Sequence, residues 1–170
     1  MTGETIALLL TSSVVAALVA GAINIVLARR HSRDEELARI RAIFAEAYEA
    51  YAEYREFPFA IHRRNPDSPA SERIRLSELI RQTQQRLHYY LAWTKSEAAT
   101  VGKAYEDLIA QARATAGQAM RTAWNLPPVV DDTEMSITVK ELAPADLRSY
   151  EEAYTKAVAK HLSSLGKCWQ

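Results

Sequence analysis

The residues in this chain best suited to chemistry are four histidines, His31, His62, His88 and His161, one thiol, Cys168, and a run of glutamates at Glu46, Glu49, Glu53 and Glu56. Carboxylate-bridged metal sites in helical bundles use Glu-x-x-His pairs that project inward. The residues three before His62, His88 and His161 are Phe59, Gln85 and Val158, so that pairing is absent. No His-Glu-x-x-His occurs, and singly placed histidines give a zinc site no local support. Phosphate loops need closely spaced glycines; Gly102-Lys103 lacks the glycine five positions earlier, where Glu97 stands. A serine nucleophile elbow is missing as well, and a lone cysteine makes neither a disulfide framework nor a metal knuckle.

The glutamates recur at intervals of 3, 4 and 3 residues, which places them on one side of a helix. Without a His or Cys complement they read as the solvated flank of an amphipathic helix rather than an acid-base pair. Asp131, Asp132 and Glu134 are too few ligands, without a turn glycine, for a calcium loop. The sequence thus implies no catalytic residue, cofactor, metal or evident small-molecule substrate. An aromatic row, Phe44, Tyr48, Tyr51, Tyr54 and Phe57, followed by Arg63 and Arg64, has two readings. Helical aromatic stripes are ordinarily core, while Tyr and Arg are also favoured at docking surfaces; the core reading is preferred.

The elements that carry these residues follow from charge and periodicity. The 170 residues hold 21 basic and 21 acidic groups, a balance that argues against a nucleic-acid partner. Residues 5–28 are 24 consecutive uncharged positions. At about 1.5 Å per residue they would span a hydrocarbon core of about 30 Å, and they are expected to form a single transmembrane helix. Ala20-Gly21-Ala22 resembles a signal-peptide cleavage site, but the preceding flank has Glu4 and no Lys or Arg, which favours a retained anchor. Arg29, Arg30 and Arg33 follow the run, so the positive-inside rule puts the amino terminus outside and the rest in the cytoplasm, at the plasma membrane. Small residues Ser13, Ala17 and Gly21, with Asn24 after them, offer a face on which two such helices can associate into a homo-oligomer.

Beyond the run, Leu37, Ile40, Phe44, Ala47, Tyr51 and Tyr54 form one helical stripe over about 34–57, with Ser32 and Glu35 as a possible capping box and Pro58 as its stop. Thr83, Leu87, Tyr90, Thr94, Ala98, Val101, Tyr105, Leu108, Ala112, Thr115 and Ala119 continue a second stripe, expected as one long helix over 70–125. Gly102 marks the one place where that helix could turn. Residues 126–143 read as an extended linker, with 135–139 as the only candidate strand, and Leu147, Tyr150, Tyr154, Ala157, His161 and Leu165 mark a last helix over 144–165.

The expected fold is therefore all-α: an amino-terminal membrane helix, then an elongated cytoplasmic bundle or helical hairpin stalk. Arg outnumbers Lys 15 to 6, a usage associated with GC-rich bacterial or phage genes. The expected function is a non-enzymatic, membrane-anchored scaffold, assembly or regulatory protein whose partners are the bilayer and a protein unknown. An oligomerising membrane effector of the phage-defence or phage-exclusion kind is the alternative, and an enzyme with a site assembled from distant residues is the third.

Overall fold

The computed structural model describes the backbone at residues 3–131, 142 and 146–168, and side chains at 24–131, 142 and 146–166. Four helices follow in order: α1 (Gly3–His62), α2 (Pro69–Glu97), α3 (Ala99–Asn125) and α4 (Arg148–Cys168). The described residues contain no strand, and the candidate at 135–139 lies outside them. The chain divides into two units, Met1–Ile40 and Arg41–Gln170.

In the first unit, α1 runs through 28–34 without interruption, so Ser32 lies inside a helix and caps nothing. Local polar contacts line its surface: His31 Nε2 lies 3.1 Å from Glu35 Oε1, and Arg39 Nε donates to Glu36 at 2.9 Å. The apolar side chains of Ile25, Val26 and Leu27 are exposed. Among the described residues no helix is long and apolar enough to cross a membrane. The expected span falls mostly on 5–23, whose side chains lie outside the description, as do Ser13, Ala17 and Gly21.

The second unit is an antiparallel up-down-up-down bundle, and its interhelical bonds give the directions. Tyr90 on α2 reaches Glu46, and Arg86 reaches Glu49 and Glu53, so α2 runs opposite to α1. Tyr105 and Ala123 on α3 meet Ala47 and Arg64 in the same order, so α3 runs parallel to α1. Glu151 and Tyr154 on α4 bond to residues near Tyr51 and Phe44, which makes α4 antiparallel to α1 again. Bonds from Tyr105 to the Ala47 carbonyl and from Arg64 to the Ala123 carbonyl join α1 and α3, and the small residues Ala47, Ala50, Ala112, Ala116 and Ala123 are all buried.

The periodic stripes fill this core. Ile40, Phe44, Ala47, Tyr51 and Tyr54 are buried, as are Thr83, Leu87, Tyr90 and Thr94, then Val101, Tyr105, Leu108, Ala112 and Ala119, then Leu147 and Tyr154. Burying each large apolar side chain contributes about 1.5 to 3 kcal/mol against the entropy of ordering the chain.

Besides the missing start near 34 and the end of α4 at Cys168 rather than 165, three boundaries differ from the sequence expectation, each for a local reason. The expected helix over 70–125 is two helices that reverse at Ala98, whose φ of −154° and ψ of 115° are extended. The reversal needs no turn loop because Ala98 N–H closes α2 on the Thr94 carbonyl at 3.0 Å, and the Ala98 carbonyl accepts from Gly102 N–H at 2.8 Å to open α3. Gly102 sits against the backbone of Lys95: a Cβ there would fall 2.5 Å from Lys95 Cα. This close approach makes a compact hairpin, and the long stalk helix is replaced by two helices of 29 and 27 residues. Second, α1 continues past Pro58 to His62, since a proline removes only its own donor and the turn beyond it still closes through Arg63 N–H on the Phe59 carbonyl. Third, α4 begins at Arg148 rather than 144, where Asp146 Oδ1 accepts the Arg148 N–H at 3.1 Å. The Arg148 guanidinium also holds Asp146 down at about 2, so this carboxylate is ionised at the positive end of the helix.

Candidate functional site

The aromatic row that sequence left between core and docking surface lies mostly inside. Phe44, Tyr51, Tyr54 and Phe57 are buried, and Tyr48 is half-exposed beside Tyr51 and Tyr154. The period of 3.6 places the row on one face of α1, where tyrosines of α3 and α4 bond to its backbone and Tyr51 bonds to α4. Tyr154 donates to the Phe44 carbonyl at 2.8 Å, and Tyr105 donates to the Ala47 carbonyl at 2.9 Å. Tyr51 donates to Glu151 at 2.7 Å, and Arg55 donates both to Glu151 and to the Tyr51 oxygen.

Burial raises the Tyr51, Tyr105 and Tyr154 phenols far above their ordinary range, and for Tyr51 the adjacent Glu151 carboxylate adds to the effect. A phenol held protonated at neutral pH is a hydrogen-bond donor, not a general base. This cluster therefore orders the α1–α3–α4 interface. Edge contact between Phe44 and His161, and the 3.1 Å approach of His161 Nε2 to Glu97, extend it to the end of α4.

The glutamate row lies on the solvated flank that its spacing suggested, with Glu46, Glu49 and Glu56 exposed and Glu53 half-buried, and it also meets partners on α2. Glu46 accepts from Tyr90, Glu53 is paired with Arg86, and Glu49 lies 3.6 Å from the same guanidinium. Three of its four members thus form a solvent-accessible seam with α2. Sequence could not place this seam because its cationic partner, Arg86, lies 33 residues from Glu53.

Two hollows border the bundle. One, of about 460 Å³ between α1 and α4, is lined by Phe44, Ala45, Tyr48, Val158, Ala159 and Leu162 with Arg41 at its edge. The other, of about 500 Å³, is bounded by Arg64, Pro69, Arg73, Ser77 and Trp124 where α1 ends, α2 begins and α3 ends. Of the two basic residues named beside the aromatic row, Arg63 is exposed with its guanidinium 5.9 Å from the Phe59 ring. Arg64 instead turns inward and donates to the Ile61 and Ala123 carbonyls at 3.0 Å and to the Leu126 carbonyl at 2.7 Å. It thereby caps two helix carboxyl ends at once.

Of the expected anchor residues, Arg29, Arg30 and Arg33 are exposed on α1, as is Asn24. Among the described residues no group of three or more His, Cys, Asp or Glu side chains gathers where a metal could bind. Arg73, Ser77 and Trp124 carried no signal in sequence, since they come from two helices and share no motif. No family model, curated protein or solved structure matches this chain.

Proposed function

We propose that the chain is a membrane-anchored helical scaffold or regulator: α1 enters the bilayer through residues 5–28 and, as the same helix, forms one wall of a bundle on the cytoplasmic side. The observation that carries this reading is the uncharged run, which ends in the exposed apolar side chains of Ile25, Val26 and Leu27. Apolar side chains left uncovered on a helix find a favourable solvent in lipid. Arg29, Arg30 and Arg33 follow at once and suit the headgroup region of the cytoplasmic leaflet. The buried tyrosine hydroxyls of Tyr51, Tyr105 and Tyr154 are spent on bonds between helices, which suits a protein that acts through its helical packing.

Self-association through Ser13, Ala17, Gly21 and Asn24 is part of the proposal, because small-residue rows let helices approach closely in lipid. The test is crosslinking of the full chain in cells followed by mass spectrometry, with the detached 34–170 fragment as the control. A specific heterologous partner lost with the fragment supports the anchored scaffold. Self-crosslinks that persist when the bundle is deleted would move the oligomerising membrane effector into first place. Absence of the full chain from the membrane fraction refutes both.

A further inference from the structure

The hollow at the α1–α2–α3 junction has a composition that neither the bundle nor the anchor requires. Its walls are two guanidinium groups, Arg64 and Arg73, one hydroxyl, Ser77, and two apolar surfaces, Trp124 and Pro69; among the described residues no acidic side chain lines it. Arg64 is held in place by three carbonyls, with its Cζ 5.4 Å from the Trp124 ring centroid, within cation–π range. Those acceptors orient the guanidinium and offset its charge only in part, since they are neutral groups at helix ends.

Arg73 is exposed and has no bonded partner among the described residues. The acid beside it in sequence, Glu72, is forked to Arg75 and accepts the Asn65 N–H, which keeps it from neutralising the hollow. Pro69, Arg73 and Ser77 recur every four residues and so share one face of the first three turns of α2. Guanidinium forks match the geometry of phosphate oxygens, and the faces of indole and guanidinium accept a flat unsaturated ring. A volume of about 500 Å³ suits a small molecule.

We infer that this hollow is a binding site for a small aryl or heterocyclic phosphate, its oxyanion held by Arg73, Ser77 and the outer edge of Arg64 and its ring laid against Trp124. The site is separate from the bilayer anchor, and its test does not depend on the scaffold reading. Phenyl phosphate is titrated into the full chain in mild detergent by calorimetry, with inorganic phosphate and benzyl alcohol in parallel arms, and the Trp124 indole N–H resonance is followed by NMR.

One phenyl phosphate is expected to bind per chain, at least tenfold more tightly than either inorganic phosphate or benzyl alcohol, with a shift of the Trp124 resonance. Arg73→Gln, at an exposed position with no partner to lose, is expected to weaken binding at least tenfold without changing the melting temperature, and Arg73→Lys to retain part of the affinity. Inorganic phosphate binding as tightly as phenyl phosphate would overturn the ring-stacking half of the proposal. No saturable binding up to about 10 mM, or binding unchanged by Arg73→Gln, would overturn the site itself.

Discussion

Gly102 and Gly117 both lie within α3, yet adding a methyl group should move stability in opposite directions. In an open helix interior, Gly→Ala gains about 1 kcal/mol by restricting the unfolded chain and improving helix propensity. Nothing lies within 4 Å of a Cβ built at Gly117, so Gly117→Ala should be more stable by about 0.5 to 1 kcal/mol. At Gly102 the same methyl would fall 2.5 Å from Lys95 Cα and 2.8 Å from Lys95 N. Because backbone must move rather than a flexible side chain tip, the overpacking cost belongs at the upper end of about 1 to 3 kcal/mol and exceeds the propensity gain. Gly102→Ala is therefore expected to be less stable by about 1 to 2 kcal/mol, a fall of roughly 3 to 8 °C in a bundle of this size. Urea denaturation of both variants, followed by circular dichroism, reads the two signs directly. If Gly102→Ala stabilises as much as Gly117→Ala, the chain does not reverse at Ala98, and the single long helix suggested by periodicity is the true structure.

Phe44→Ala should cost about 3 to 5 kcal/mol in the same assay, because the ring is buried; a loss below about 1 kcal/mol would return it to the surface. Glu151→Ala leaves Tyr51 and Arg55 without their shared acceptor and should cost about 1 to 3 kcal/mol. The loss should be smaller when Tyr51→Phe is already present, and strict additivity in that double-mutant cycle would deny the coupling. The buried phenols predict alkaline sensitivity. Their folded pKa is raised above the unfolded value of about 10, so their contribution is complete below that pH and is lost as the pH rises above it. Stability should fall above about pH 10, and the fall should be shallower in Tyr154→Phe; an identical slope contradicts the burial of that hydroxyl.

The core of the first three helices was legible because their apolar positions recur at intervals of three and four: Ile40, Phe44, Ala47, Tyr51 and Tyr54, then Thr83, Leu87, Tyr90 and Thr94, then Val101, Tyr105, Leu108 and Ala112 are buried as their spacing predicts. On α4, by contrast, only Tyr154 of the expected stripe is buried, and Tyr150, Ala157, His161 and Leu165 are half-buried. The reversal at Ala98 was not, because the stripe keeps its register across the break and the turn uses one extended alanine and one close-packed glycine, without proline or asparagine. The extra turn beyond Pro58 was hidden for the converse reason, a breaker residue whose missing donor the helix tolerates. Pairings such as Arg55 with Glu151, 96 residues apart, carry no local pattern and emerge only from the bundle's topology. The Arg64–Arg73–Trp124 hollow is of the same kind: each residue is ordinary in its own helix, and the junction of three helix ends supplies the chemistry.

The most direct test of the anchored-bundle proposal is alkaline carbonate extraction of membranes from cells expressing the full chain, with the 34–170 fragment processed in parallel. A helix that passes through the bilayer resists extraction, whereas a bundle held by charge is released. The full chain should remain in the pellet and the fragment in the supernatant. Recovery of the full chain in the supernatant would contradict the anchor and with it the proposed function.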